Sequence, residues 1–288
     1  MNEVVIYSNP NNSILRTLYN YNDRGRLLVL KVCVLASSSK GNATFVRVGT
    51  DRFLIDAGIS ARRINKTLNE IGEKITDLTG IILTHEHQDH ITGIKTLSRK
   101  YHLKFWVTFD TYQRIRKKVG NFDAEFIEVG EDFRLGTEPI ITPYEIQHDS
   151  VDPIAFLIKS HDGVPLVGYL NDCGRTTPFL IDGFRNVKVL IIEANHSFDL
   201  LLQSSYPSFL KQRLLSPKGH LSNWSAGEFI SATMPQIAVL SHLSEENNTP
   251  ENTLSEIEPM LSYRNENLIP FLVIVPYKGR SAIIKTFQ

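Results

Sequence analysis

The chain has 288 residues, 42% of them hydrophobic and 22% charged, enough for one large domain or two small ones. Its 31 basic side chains balance its 31 acidic ones, so no global field draws it to nucleic acid or to an anionic membrane, and a polyanionic substrate needs a local basic patch. No apolar run nears the ~20 residues of a membrane span, no basic segment followed by an apolar core opens the chain, and Cys33 and Cys173 form neither a disulfide framework nor a Cys-x-x-Cys pair; a cytoplasmic setting without membrane contact is expected.

Residues 1–26 are Asn-rich, as in Asn9-Pro10-Asn11-Asn12, and weakly periodic. They read as an extension, partly disordered, ahead of a catalytic domain over 27–288. That domain opens with a buried strand over 27–35. The small polar loop Ser37-Ser38-Ser39-Lys40-Gly41-Asn42 follows, and is either a plain turn or a cradle whose N–H groups hold an anion. A hairpin is predicted over 44–55. The spacing of Ile64, Leu68 and Ile71 behind Ser60 predicts a capped helix over 60–72.

The apolar run Ile81-Ile82-Leu83 then leads into Thr84-His85-Glu86-His87-Gln88-Asp89-His90. Three of the chain's nine histidines and a carboxylate stand in this one turn. His85 and His87 are two apart, so an extended backbone points both rings the same way. Asp89 and His90 enter the bend that follows and address a second point. A His-rich surface loop is the bland alternative, but imidazoles and carboxylates this close are ligands for a divalent metal, zinc by default.

A helix is expected around Ile94 and Leu97, then a strand over 103–107. The helix expected over 108–119 carries Arg114, Arg116, Lys117 and Lys118, either a solvated face or a grip on a nucleic acid backbone. Residues 126–129 and 140–144 read as strands of a second half. Further apolar strands end at Asp172, at Glu193 and at His242, and His148 stands alone before the strand over 155–159. Gly219-His220-Leu221-Ser222-Asn223 reads as the start of a helix running to about 232. Closing strands are expected around Pro276-Tyr277-Lys278-Gly279. His102 and His161 read as surface residues.

His-x-His-x-Asp-His after an apolar strand, with Phe53-Leu54-Ile55-Asp56-Ala57-Gly58 upstream, resembles the metallo-β-lactamase-fold superfamily. The resemblance covers residues 28–288. It implies an α/β fold, a four-layer αββα sandwich of two mixed β-sheets flanked by helices. It also implies two divalent metal ions per chain, Zn²⁺ or Mn²⁺. His85, His87 and His148 would hold one ion, Asp89, His90 and His242 the other, with Asp172 bridging. Asn171 stands where the superfamily carries a hydroxyl residue. Asp56 and Glu193 would stand behind the ligands and orient neighbouring histidines.

Within the superfamily, the loop 37–42, His148-Asp149, Asn195-His196, the string 219–223 and His242-Leu243-Ser244 resemble YycJ/WalJ-type single-stranded DNA 5′ exonucleases, relatives of ribonuclease Z. The stretch between Asp172 and His242 is too short for an added nuclease-cap domain. The resemblance implies phosphodiester hydrolysis of single-stranded DNA, with His220 and Asp89 catalytic and His220 beside the scissile phosphate without binding metal. Ser37, Ser39, Asn42, Asn195, His196 and Asn223 would meet the substrate. Phe45, Tyr112 and Trp224 are candidates for stacking on bases. The alternative on the same fold is a small-molecule ester, thioester or lactone hydrolase. A third reading, a regulatory module with a vestigial site, sits poorly with a complete ligand set.

Overall fold

The computed structural model describes residues 4–8, 14–21, 27–262, 270–275 and 284–285. The first half of the chain builds one sheet in strict sequence order: β1 (Val4–Ser8), β2 (Ile14–Tyr21), β3 (Leu27–Ala36), β4 (Ala43–Val48), β5 (Asp51–Ile55), β6 (Gly80–Ile82), β7 (Phe105–Val107) and β8 (Ala124–Phe126). The second half builds the other: β9 (Phe133–Arg134), β10 (Ile140–Glu145), β11 (Ile154–Lys159), β12 (Pro165–Leu170), β13 (Val189–Glu193), β14 (Ile237–Ser241), β15 (Phe271–Ile274) and β16 (Ile284–Lys285). In each sheet antiparallel strands give way to a parallel set, β5 to β8 in the first and β12 to β15 in the second.

Parallel neighbours need crossover connections, and helices supply them. In the first half these are α1 (Ala61–Glu70), α2 (Gln88–Ile91), α3 (Ile94–Tyr101) and α4 (Phe109–Val119). In the second they are α5 (Pro178–Gly183), α6 (Phe198–Gln203), α7 (Ser208–Leu214), α8 (Asn223–Thr233) and α9 (Pro250–Ser262). Ser60 caps α1 by accepting from the Arg63 N–H, and Ser222 caps α8 by accepting from the Ser225 N–H, so both helix starts fall where their hydroxyls predict.

Alternate residues of the strands feed different cores. Phe53, Ile55, Val189, Ile191, Ile237 and Val239 pack between the sheets. Leu54 and Ile81 face out, under Ile64, Leu68, Leu97 and Ile115 of the first helical layer. Leu190, Ile192, Ala238 and Leu240 face out under Phe229, Ile230, Leu254 and Ile257. Three apolar layers separate four layers of structure, which is the αββα sandwich expected.

Two details differ from the sequence reading. Of the segment read as a second-half strand over 126–129, only Phe126 is strand, the last residue of β8, which pairs parallel with β7 as the edge of the first sheet, because α4 returns the chain to that edge. Within the stretch read as an extension, β1 and β2 pair antiparallel and β2 lies along β3, widening the first sheet. Residues 9–13, 22–26 and 276–283, with the Asn-Pro-Asn-Asn and Pro276-Tyr277-Lys278-Gly279 strings, lie outside the described residues. Among the described residues no helix is long and apolar enough to cross a membrane. The topology sends the carboxyl ends of β5, β6, β12, β13 and β14 to one edge, where open α/β sheets hold their ligands.

Candidate metal centre

The motif loop is held from behind by Asp56, fully buried just past β5. One Asp56 oxygen accepts from the Thr84 N–H at 2.9 Å; the other lies 2.7 Å from His90 Nδ1 and accepts from the Thr84 hydroxyl at 2.9 Å. Thr84 Oγ1 in turn lies 2.9 Å from His85 Nδ1. Both rings thus have Nδ1 engaged on the protein side, which leaves Nε2 to face the cluster. A tight backbone junction sets the rest of the loop. Asn42 N–H donates to Asp89 O at 2.7 Å and Gly58 N–H to Asn42 O at 2.7 Å. A side chain at Gly58 would put its Cβ 1.5 Å from Asp89 O. The Asn42 amide reaches Asp89 Oδ2 at 3.1 Å and His90 Nε2 at 3.0 Å.

The second sheet brings the remaining groups. Asp172 Oδ2 is 3.1 Å from His90 Nε2, and its Oδ1 is 3.5 Å from His220 Nδ1 and 3.7 Å from His242 Nε2. Glu193, fully buried, accepts from the Cys173 and Leu221 N–H groups at 2.7 and 3.1 Å with one oxygen. Its other oxygen is 2.9 Å from His220 Nδ1 and 3.5 Å from His242 Nδ1. His148 Nδ1 donates to Gly219 O at 3.2 Å, and its Nε2 lies 3.3 Å from His87 Nδ1.

Among the described residues three overlapping clusters result, each with its ligand atoms within 4.8 Å of one another: His85, His87 and His148; His85, His90 and Asp172; and Asp172, Glu193, His220 and His242. The first is a ligand set the sequence predicts. Asp172 joins the other two. Asp89 reaches the cluster through His90, 3.5 Å from its Nε2.

The electrostatics of His85, His148 and Asp172 suit ligation, whereas at His90 burial is outweighed by Asp56 and Asp172, which lift the ring well above the usual imidazole range. Burial, then the neighbouring His90, holds His85 well below the usual imidazole range, and burial lowers His148 as well. Burial would raise Asp172, but His242 and His90 outweigh it and hold the carboxyl well below its usual range. Neutral imidazoles and an ionised carboxylate are the forms that bind metal. Among the buried side-chain atoms without a hydrogen-bond partner are His85 Nε2, His242 Nε2 and Asp172 Oδ2, the last 3.1 Å from His90 Nε2 as an ion pair. Such an atom costs about 1–3 kcal/mol, and three in one cluster fit a divalent cation as their shared partner. The donor set of imidazoles and carboxylates suits zinc or manganese.

The other sequence candidates take different places. Ser37 Oγ accepts from the His242 N–H at 2.7 Å, and the Asn195 amide donates to His242 O at 3.0 Å. Both are buried supports of His242. His196 is buried, and burial pulls its ring down to about 4. Ser39 is exposed on the 37–42 loop. Asn223, expected at the substrate, is instead fully buried and exchanges amide hydrogen bonds of 3.0 and 2.8 Å with Asn248, tying α8 to the start of α9. Phe45, expected as a stacking ring, is fully buried under the first helical layer. Tyr112 is half-buried against Phe122 and Phe126, whereas Trp224 is 57% exposed. Lys118 of the basic helix α4 donates to Glu86 O at 3.0 Å, which sets α4 along the rim of the motif loop. His102 and His161 are exposed. Sequence reasoning missed Thr84, whose signal was a hydroxyl wedged between strand and motif. It also missed Arg213, whose Nε donates to Asp149 Oδ2 at 2.7 Å across 64 positions, a pairing with no local trace.

Two facing sheets whose parallel strands deliver histidines and carboxylates to a common edge define a hydrolase of the metallo-β-lactamase fold. The chain belongs to the β-lactamase superfamily, whose domain it matches over residues 51–243. It is 34% identical over 229 residues to the exodeoxyribonuclease WalJ of Streptococcus pneumoniae serotype 2 (strain D39), covering 77% of this chain and 84% of that one. It is 29% identical over 238 residues to the exodeoxyribonuclease YycJ of Bacillus anthracis, covering 81% and 89%. The crystal structure of the metallo-β-lactamase-fold protein YhfI from Bacillus subtilis superposes with a TM-score of 0.65 at 17% identity, over 85% of this chain and 95% of that one.

Proposed function

We propose that the chain is a two-metal phosphodiesterase that removes nucleotides from the 5′ end of single-stranded DNA in the cytoplasm. The observation that carries the metal chemistry is the set of buried, unpartnered ligand atoms on His85, His242 and Asp172. The choice of substrate is supported by the likeness, over most of the chain, to two proteins named exodeoxyribonucleases. The free thiols of Cys33 and Cys173, both buried, suit a reducing compartment.

In this reading His85, His87 and His148 would hold one ion and Asp89, His90 and His242 the other, with Asp172 available to both. Divalent ions there would lower the pKa of water toward neutrality and supply positive charge for the phosphoryl oxygens. Thr84 and Asp56 keep His85 and His90 turned toward the cluster. His220 has its Nδ1 committed to Glu193, so Nε2 is the atom that faces the phosphate. Burial pulls the ring down, but Glu193 more than offsets this and lifts it to about 9. His220 is therefore protonated near neutral pH, ready to bind a phosphoryl oxygen or to give its proton to the leaving oxygen.

The test is chelator-stripped protein reloaded with Mn²⁺ or Zn²⁺ and given end-labelled single-stranded DNA. Nucleotides should be lost from the 5′ end, bis-p-nitrophenyl phosphate should be cleaved, and lactones and glutathione thioesters should persist. Elemental analysis should give two ions per chain, with Asp172→Ala lowering both. Thioester turnover without phosphodiester cleavage would replace this reading with the small-ester hydrolase.

A further inference from the structure

Helix α7, SFLKQRL, buries none of its residues. Phe209 on it is 72% exposed. Arg213, four positions on, shares its face, since residues i and i+4 of a helix are neighbours. That face meets the metal centre. Arg213 binds Asp149 Oδ2 through Nε at 2.7 Å and through a terminal nitrogen. Asp149 Oδ1 is 3.3 Å from His148 Nε2. The carbonyl of Leu214, at the end of α7, accepts from the His220 N–H at 3.2 Å. Along the chain, residues 200–227 contain Lys211, Arg213 and Lys218 and no acidic residue, and the carboxylate that meets this helix, Asp149, is paired with Arg213.

We propose that α7 is the platform on which a single strand of DNA enters the site, with Arg213 taking a backbone phosphate beside the metal cluster and Phe209 stacking on a base one helical turn away. This rests on the phosphodiesterase reading above. A guanidinium carries five N–H donors in a planar fork. With Nε and one terminal nitrogen on Asp149, the other terminal nitrogen is left for a phosphate oxygen. Asp149 thus fixes where that nitrogen points. An exposed ring beside a phosphate-binding cation is how single strands are held without sequence preference.

The test is fluorescence anisotropy of a 3′-labelled phosphorothioate oligothymidylate, which resists hydrolysis, on the metal-loaded full chain across a salt series. Arg213→Ala should weaken binding at low salt and reduce the slope of log affinity against log salt by about 0.7, the share of one single-strand phosphate contact. Arg213→Lys should restore the slope but not the full affinity. Phe209→Ala should bind about 5- to 100-fold more weakly with the slope unchanged, and Phe209→Trp should restore binding. Phe179→Ala, which removes a ring 69% exposed on α5, should bind as the parent does. The platform is overturned if both alanine variants bind as the parent does, if Phe179→Ala weakens binding equally, or if the parent does not bind the strand. A parent that binds the strand yet cleaves no phosphodiester leaves the platform standing and removes the phosphodiesterase reading. Cleavage of oligonucleotides with unaltered binding by the α7 variants does the reverse.

Discussion

Replacing Glu193 by Gln keeps the shape of a buried side chain and takes its charge. One Glu193 oxygen accepts from two backbone N–H groups, and a Gln carbonyl can do the same. The other oxygen faces His220 Nδ1 at 2.9 Å, where an amide NH₂ cannot accept. Burial drives both groups toward their neutral forms, yet each is overridden by its partner. His220 is lifted from 6.5 to about 9, and Glu193 is lowered from 4.5 to about 2. The rise at His220 corresponds to on the order of 3 kcal/mol. With Glu193 neutralised, burial pulls His220 down against Asp172 alone, so its pKa in the variant should fall well below the parent's. The linkage has a definite sign. The raised His220 contributes stability fully below 6.5 and loses it as pH climbs through about 9. The depressed Glu193 contributes above 4.5 and loses it as pH falls through about 2. The pair therefore acts in full between 4.5 and 6.5. In the metal-free chain, an NMR titration of His220 and melting curves from about pH 3 to about pH 10 read both effects. The difference in Tm between parent and variant should be widest in that window and narrow toward either end. A His220 that still titrates near 9 in Glu193→Gln, or a Tm difference flat across pH, refutes the reasoning.

Two more perturbations test how the motif loop is built. Asp56→Asn cannot accept from both Thr84 and His90, so metal affinity should drop about 10- to 100-fold in a chelator competition; unchanged affinity would mean that His90 needs no partner behind it. Gly58→Ala brings a Cβ to 1.5 Å from Asp89 O and 2.5 Å from Asn42 N, both backbone atoms. It should cost about 1–3 kcal/mol in thermal or denaturant unfolding and lower metal content by displacing Asp89. A neutral outcome would mean that the backbones at this junction part readily.

What could be read from the sequence was what is local. Three histidines and an aspartate in one turn announce a metal loop because their spacing sets their directions. Asp172, Glu193 and His242 could be read as polar ends of apolar strands. Their convergence was not legible from periodicity, since it depends on two sheets meeting edge to edge. Phe45 shows where alternation misleads. A strand between a helical layer and the facing sheet is buried on both faces, so Val46 fills the core between the sheets while Phe45 fills the one beneath the helices. Asn223 shows the limit of a capping pattern. Helix-start chemistry was correct at Ser222, but the next residue turns inward to Asn248. Arg213 and Asp149 meet only because α7 folds back over the loop after β10.

The centre is also placed by backbone shapes that residue types do not announce. Asp56, Asp172 and His242 have φ of 61°, 53° and 56°, in the left-handed region, and each lies one or two residues past a parallel strand. That conformation is uncommon for residues other than glycine, although Asn, Asp and His tolerate it best. Such strain costs of order 1–3 kcal/mol and persists where the surroundings over-determine it. Those surroundings are visible at each position. Asp56 N–H is fixed to Ile82 O at 2.9 Å, and Ala57 N–H to His90 O at 2.9 Å. Cys173 N–H, next to Asp172, is fixed by Glu193. His242 N–H is fixed by Ser37 Oγ from the opposite sheet. A left-handed residue reverses the chain within one step, so its side chain stays at the strand end facing the other sheet instead of following the loop outward. Ser37 and Glu193 act on the cluster in this way, by holding the turns that present Asp172 and His242. Loss of the Ser37 hydroxyl would release His242 at its backbone, and that is a more direct route from the Ser-rich loop to the metal centre than contact with a substrate.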